Sequence, residues 1–475
     1  MKSIQGLIIW TSDELSKVIG KKIESKWVCN GMEFDSRKVK RGNIFFALPG
    51  TKLDGHNFIK DAVQLGAVAV IVNKSYKSKI YNNKLIKVDN VYETLLLIAN
   101  EARNRVKIAT NIIAITGSSG KTSTKEMMKS AFGAVGLTYS SPGSYNNHVG
   151  VPYSLANMSS ETNFGIFELG MNHSNEISKL SKLVRPNIAI ITNVSEAHIG
   201  NFNSIKDVIK AKAEIFEGIV SNGNILINRD FEYYHEVISY SKNLKNIKTI
   251  TYGLNKLSDI FLVKREVLDI GQRITVSAYG KIYTYHINYD GLHQAKNSLA
   301  VLGVSLIIKS NMQKVINNLE KSLVPIGRGN RHNIIIDGKK SLLIDDSYNA
   351  NPSSVIASLK SLKEISGKKR KVLILGEMGE LGEYSAVLHK NLYNYLISMN
   401  INLVIFVGKN TKNLYNLTKS KIECVWEESS ENILKKDIIK LIKPMDTILV
   451  KGSRYMKMEL IIKHLIDQYK IKVSD

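Results

Sequence analysis

The sequence predicts an α/β protein of three domains: a small N-terminal α/β domain over residues 1–108, a central parallel-sheet domain over 109–323 and a C-terminal doubly wound, Rossmann-like domain over 324–475. Three observations carry this. Short β-branched apolar runs alternate with helix-compatible stretches from residue 112 to about 323, as a parallel sheet with crossover helices demands. The run at 112–116 breaks into Gly117-Ser118-Ser119-Gly120 just before a helix-forming stretch at 122–132. A Pro/Gly break, Pro325-Ile326-Gly327-Arg328-Gly329, then separates this series from a second one of the same kind.

The N-terminal domain reads as short strands and glycine turns. Asp35-Ser36-Arg37 leads into Gly42-Asn43-Ile44-Phe45-Phe46-Ala47-Leu48-Pro49-Gly50, then Asp54-Gly55-His56-Asn57-Phe58, a helix-like stretch at 59–65 and an apolar strand at 67–72. Asp35, Ser36 and Arg37 set a carboxylate, a hydroxyl and a guanidinium side by side. That trio suits an anionic or sugar-bearing ligand, and it suits a surface turn equally well.

The central domain turns on the stretch from Ile112 to Lys125. A strand, a glycine turn and a helix form a phosphate cradle: glycines let backbone N–H groups curl around phosphate oxygens, and the helix N-terminus adds partial positive charge. Lys121 can reach β and γ phosphates, and Thr122 offers Mg²⁺ a hydroxyl. The loop departs from the strict P-loop spacing, because the glycine expected five places before Gly120 is Ile115 and Gly117 stands three places before it. Buried strands are expected at 164–168, 188–192 and 224–228, antiparallel hairpins at the sheet edge over 260–287, and a helix over 294–309. In the C-terminal domain the expected strands are 342–345, 372–375, 403–407 and 447–450.

Composition bounds the function. The chain has 475 residues, 44% hydrophobic and 23% charged, with no apolar run near the ~20 residues of a membrane span. The N-terminus lacks the long apolar region of a secretory signal, so a cytoplasmic location is expected. Cys29 and Cys424 are far apart in sequence and give neither a disulfide framework nor a zinc site. The net charge of +24 is spread along the whole chain rather than gathered in one face, which argues against nucleic-acid binding.

Four further stretches carry polar chemistry. Tyr145-Asn146-Asn147-His148 is an amide-rich loop suited to a peptide carboxylate or carbonyl. Glu168 ends a buried strand, where a carboxylate is costly without a cation or donor, and Mg²⁺ is the natural partner beside a phosphate loop. Thr192–His198 continues to Lys210-Ala211-Lys212-Ala213-Glu214; a lone histidine such as His198 is also a common packing residue. Asp345-Asp346-Ser347-Tyr348-Asn349-Ala350-Asn351 offers paired acids for a ribose hydroxyl or a metal, and such acids are also frequent helix caps.

These stretches, with Gly291-Leu292-His293, Asn297, Gly376-Glu377-Met378-Gly379-Glu380-Leu381-Gly382 and Val450-Lys451-Gly452-Ser453-Arg454, resemble the Mur ligases of peptidoglycan synthesis along the whole chain. The resemblance implies an ATP-dependent amide ligase working through an acyl phosphate. Residues 346–352 and 376–382, with Asp35-Ser36-Arg37 and Asp54-Gly55-His56, match best the member that adds D-alanyl-D-alanine to UDP-N-acetylmuramoyl-tripeptide. It implies ATP contacts at Gly117, Ser118, Ser119, Gly120, Lys121, Thr122, Ser123, Asn297, Arg328 and Asp346, and catalytic roles for Lys121, Glu168, His198 and Lys212. The resemblance also implies that Thr122, Glu168, His198 and Lys212 would hold two Mg²⁺ ions, with Lys212 carbamylated; the alternative for Lys212 is a plain lysine paired with Glu214 or another acid. Substrate contacts are implied at Asp35, Ser36, Arg37, Asn146, Asn147, Tyr348, Asn349 and Asn351, in a monomer.

Two positions depart from the pattern: Gln294 stands where the family usually has asparagine, and Arg331 competes with Arg328 for the nucleotide. Adenine on the central domain at Asn297 and ribose on the C-terminal one at Asp346 would let ATP draw the two together across 325–329. Rival readings are another Mur-type or folylpolyglutamate-type ligase, which fits the C-terminal motifs poorly, and a non-ligase P-loop ATP-binding protein, which leaves Lys212, Asp346 and the third domain unexplained.

Overall fold

A computed structural model describes residues 7–50, 53–78 and 80–469. Residues 1–6, on which part of the expectation about a secretory signal rests, lie outside these. Among the described residues no helix is long and apolar enough to cross a membrane.

In the N-terminal region four parallel strands lie in the order Gly31–Glu33, Asn43–Phe46, Ala69–Asn73 and Leu85–Val88, beside a short antiparallel pair, Trp10–Thr11 with Val28–Cys29. The helix Val91–Asn104 follows; Asn90 caps it by accepting from the amides of Tyr92 and Glu93. Its buried Val91, Leu95, Ile98 and Ala102 recur at helical spacing and face the sheet, so this helix is held by one apolar stripe.

The central sheet has nine strands. From one edge they run Lys281–Ile287, Gln272–Ala278, Ile260–Val267, Lys248–Gly253, Asn224–Asn228, Ile188–Ile191, Asn111–Thr116, Phe164–Glu168 and Thr138–Ser140. All pairings are parallel except the two that join the hairpins at the first edge, as the alternation over 260–287 predicts. Asn111–Thr116 sits between two neighbours and is covered on both faces, which explains its β-branched run. Ile113 and Ile115 point to a core shared with the helices Lys121–Phe132 and Leu292–Ile307, through Met127, Met128, Phe132 and Leu299. Ile112 and Ala114 point the other way, to Val151, Leu155, Ile177 and Val208.

The C-terminal sheet has six strands in the order Asn330–Ile336, Lys339–Asp346, Thr447–Lys451, Lys371–Gly376, Leu403–Val407 and Glu423–Glu427. Its first pair is antiparallel and the rest are parallel, so the expected doubly wound sheet carries an added edge hairpin. Asp337 and Gly338, at φ 46° and 74°, make the two-residue turn of that hairpin, in which both central residues need positive φ. The Asp-Gly pair was the local signal for Asn330–Ile336, a strand absent from the expected series.

Candidate active site

The carboxyl ends of strands in the central and C-terminal sheets border one cleft of about 690 Å³, the position where open α/β sheets hold ligands. Ser118, Ser119, Gly120, Lys121, Thr122, Ser123, Asn146, Asn147, Glu168, His198 and Asn297 line it from the central domain. Arg328, Asp346, Tyr348, Asn349 and Asn351 line it from beyond the Pro/Gly break. Gly117, Lys212, Asp35, Ser36 and Arg37 are not among its lining residues.

The phosphate loop is clamped from the strand end at Ile191. Thr192 Oγ1 donates to the Ser119 carbonyl (2.6 Å), Asn193 Oδ1 accepts from the Ser119 amide (2.8 Å), and Ser118 Oγ accepts from the Ser195 amide (2.9 Å). Two glycines make this path possible. Gly117 has φ +148° and a Cβ there would overlap Thr192 Oγ1; Gly120 has φ +83° and a Cβ there would stand 2.8 Å from Asn297 Oδ1. Lys121 Nζ folds back onto the Gly117 carbonyl at 2.7 Å, and burial together with the nearby Arg328 holds its ammonium below the usual lysine range, against the pull of Glu168 and Glu380.

Beneath the loop, Glu168 is buried and doubly held. Thr122 Oγ1 donates to its Oε2 (2.8 Å) and Asn146 Nδ2 to its Oε1 (2.7 Å). His198 lies at φ 64°, with Nδ1 2.6 Å from Glu380 Oε2 but off the direction of a hydrogen bond. Desolvation holds the imidazole below its ordinary value, and the contact with His198 holds the Glu380 carboxyl low. Lys212 is completely buried and its Nζ has no hydrogen-bond partner among the described residues. Desolvation first, and then the neighbouring Lys121, push its ammonium far below the usual range. Glu214, Glu380 and Glu168 offset this only in part, and the Glu214 carboxylate accepts from the amides of Asn175 (2.7 Å) and Ser178 (3.1 Å) rather than forming the ion pair with Lys212 that the alternative expectation requires.

On the other wall, Asp346 Oδ2 accepts from Lys451 Nζ (2.7 Å) and Ser358 Oγ (2.6 Å). Neither aspartate caps the next helix. Asp345 closes a turn by accepting from Ser347, and Asn351 is the N-cap of Pro352–Ser366, accepting from the Ser354 amide while its Nδ2 donates to the Ser118 carbonyl (3.3 Å). Asn147 likewise accepts from the Gly150 amide at 2.8 Å. The side chains of Asn147 and Asn351 thus hold backbone in place. Arg331 forms an ion pair with Asp290 at 2.5 Å, whereas Arg328 lies over the Tyr348 ring (4.3 Å) and 3.3 Å from Ser144 Oγ, beside Thr122. Gln294 packs into the same wall, accepting from Asn297 Nδ2 at 3.0 Å. In the N-terminal domain Arg37 pairs with Asp35 at 2.9 Å, and the adjacent Lys38 Nζ donates to Tyr145 Oη at 2.8 Å, which ties this turn to the Asn146 loop.

The chain matches the models of the Mur ligase middle domain over residues 115–305, of the Mur ligase glutamate ligase domain over 330–454, and of the Mur ligase family catalytic domain over 29–107. It is 36% identical over 459 residues, 96% of this chain and 100% of the relative, to the UDP-N-acetylmuramoyl-tripeptide--D-alanyl-D-alanine ligase of Rickettsia prowazekii (strain Madrid E). The chain belongs to the Mur ligase family. A second relative of the same name, from Escherichia coli (strain K12), is 30% identical over 433 residues, 91% of this chain and 92% of its own. Among solved structures, this Mur ligase superposes on MurF from Acinetobacter baumannii with a TM-score of 0.83 and 26% identity, over 96% of this chain and 99% of that one. The motif-based family expectation is therefore met.

In this Mur ligase several cleft residues had no role assigned from sequence: Glu380, Lys451, Ser453, Arg454 and His293. The first four sit in the two stretches, 376–382 and 450–454, that carried the resemblance, so the signal was present without a partner to interpret it. His293 is pushed down to about 4 by desolvation.

Proposed function

We propose that this Mur ligase uses ATP to join D-alanyl-D-alanine to UDP-N-acetylmuramoyl-tripeptide, forming the UDP-pentapeptide precursor of peptidoglycan. The observation that carries the reading is the single cleft in which a phosphate loop faces Asp346, Tyr348 and the 450–454 stretch, in a chain whose full-length relatives bear that ligase name. The tripeptide carboxylate attacks the γ-phosphorus of ATP, the bond to the bridging oxygen breaks, and ADP and an acyl phosphate result. The dipeptide amine then attacks the acyl carbon; the C–O bond to phosphate breaks and the amine loses a proton.

Charge neutralisation is the main task in such transfer. Lys121 meets the γ-phosphate, exchanging its Gly117 contact for it, while the amides of the loop and the start of Lys121–Phe132 hold the β-phosphate. Asn297 takes adenine, Asp346 the ribose and Arg328 the nucleotide phosphates; Arg331, paired with Asp290, is left out. Asn146, Tyr348 and Asn349 contact the acyl acceptor, Asn147 and Asn351 fix the loops around it, and Asp35, Ser36 and Arg37 serve the uridine diphosphate end. The Thr122 hydroxyl and Glu168 carboxylate form a hard-oxygen pair at the foot of the loop, and that donor set fits Mg²⁺, which takes one or two carboxylates together with substrate phosphates. When bound there, Mg²⁺ would neutralise charge on the phosphate oxygens.

Among the described residues no group of three His, Cys, Asp or Glu gathers to hold a cation; His198 has the Glu380 carboxylate at 2.6 Å, and a modified Lys212 would add oxygen donors beside it. Lys212 is read as carbamylated: its amine, kept uncharged by burial, attacks CO₂, forms an N–C bond and releases a proton, leaving two carboxylate oxygens beside Lys121 and His198. A cytoplasmic monomer completes the reading, in keeping with two free cysteines. Phosphate release from ATP tests it: release that requires both UDP-tripeptide and D-alanyl-D-alanine supports a ligase, and release indifferent to both supports the ATP-binding protein without ligation.

A further inference from the structure

The dipeptide that enters this reaction carries a carboxylate as well as its amine, and that carboxylate has to leave water with a counter-charge. The cations bordering the cleft are mostly committed. Lys121 and Arg328 stand at the phosphate loop, Lys451 is spent on Asp346 and the Asn349 carbonyl, and Lys296 lies 3.5 Å from Asp230. Arg454 differs: it is exposed, and among the described residues its ion-pair partner is Glu459 at 3.2 Å, in a solvated pair of little strength.

Its placement suits the amine substrate. Arg454 follows the strand Thr447–Lys451, and its neighbours Ser453 and Tyr455 pack on Gly379, next to the Glu380 that meets His198. The Tyr348 ring lies 4.3 Å from Arg328 Cζ and 5.8 Å from Arg454 Cζ, so both guanidiniums border the cleft around that ring, Arg328 beside the phosphate loop and Arg454 at the end of the 450–454 stretch. A dipeptide whose amine faces the phosphate loop has its carboxylate at the far end, and the planar fork of Arg454 on the same cleft matches a carboxylate with two parallel N–H donors. We propose that Arg454 recognises the terminal carboxylate of the incoming dipeptide and so sets the preference of this ligase for a free acid at that end. The proposal rests on the ligase reading above.

The test compares D-alanyl-D-alanine with its C-terminal amide at saturating ATP and UDP-tripeptide, by initial rates. The wild type is expected to favour the acid by about tenfold or more in kcat/KM, the scale of a hydrogen-bonded charge pair. Arg454→Gln should lose that preference, chiefly through a higher KM for the dipeptide and with an unchanged KM for ATP, and Arg454→Lys should keep part of it. Glu459→Gln, which removes the solvated ion pair but leaves the guanidinium, should keep the preference intact. Acid preference retained in Arg454→Gln overturns the proposal, as does its loss in Glu459→Gln, which would mark a structural role for the pair. A wild type that ligates neither dipeptide overturns the ligase reading itself, and that outcome is distinct from a wild type that ligates both equally, which overturns only the role of Arg454.

Discussion

Replacing Gly117 with alanine probes how the phosphate loop is built. The residue has φ +148°, and a Cβ would overlap Thr192 Oγ1 and stand 3.1 Å from both the amide nitrogen and the carbonyl oxygen of Asn193. Holding alanine in that backbone region costs about 1–3 kcal/mol. Pushing the Thr192 hydroxyl off the Ser119 carbonyl, which it meets at 2.6 Å, costs about 1 kcal/mol more. The sum, about 2–4 kcal/mol, falls on a loop whose geometry is its function, so affinity for a non-hydrolysable ATP analogue should drop by about thirtyfold to a thousandfold. Titration calorimetry reads this, with circular dichroism to confirm a retained fold. Thr192→Ala removes the overlapping oxygen, so Gly117→Ala should cost about 1 kcal/mol less in that background than in the wild type. An affinity within threefold of wild type for Gly117→Ala would refute the reasoning.

Lys125 is completely buried, and its Nζ donates to the carbonyls of Ser141 (2.6 Å) and Gly143. Lys125→Met should therefore cost about 1–3 kcal/mol and loosen the chain from Ser144 to Asn147, seen as faster amide hydrogen exchange there; unchanged exchange would contradict it. His389 is held below 6.5 by burial, and its Nε2 accepts from the Met378 amide at 3.0 Å, which requires the neutral ring. The unfolded chain binds a proton at this residue below about 6.5 while the folded chain resists it, so stability falls as pH drops through that value. Thermal unfolding across this range should show a shallower acid loss in His389→Gln, and an identical slope would count against the assignment. Lys212→Ala should be nearly inactive and partly rescued by acetate, and ¹³C-bicarbonate should give the wild type a carbamate NMR signal; normal turnover of the variant would end that reading.

What was legible in the sequence was whatever a local pattern specifies. The β-branched run ending at Thr116, the glycines at 117 and 120 and the helix after them follow from burial on both faces and from backbone angles that only glycine adopts cheaply. The edge hairpins over 260–287 followed from period-two alternation. Contacts between domains have no such local trace. Nothing near His198 announces Glu380, and the choice between Arg328 and Arg331 depends on Asp290, which lies in the loop between the strand Lys281–Ile287 and the helix Leu292–Ile307. Asp345 and Asp346 look equivalent in sequence, yet the pleat turns one to Ser347 and the other to Lys451 in the cleft. The isolation of Lys212 was likewise invisible, since it depends on Glu214 being engaged by the backbone of Asn175 and Ser178.

The central claim is that one cleft carries out ligation from ATP through to product. Incubating the protein with ATP, Mg²⁺, D-alanyl-D-alanine and UDP-N-acetylmuramoyl-tripeptide, with either diaminopimelate or lysine as the third residue, and weighing the products by mass spectrometry tests it directly. The account predicts a UDP-pentapeptide from at least one tripeptide, formed in step with ADP. ATP consumed with neither tripeptide extended would contradict it.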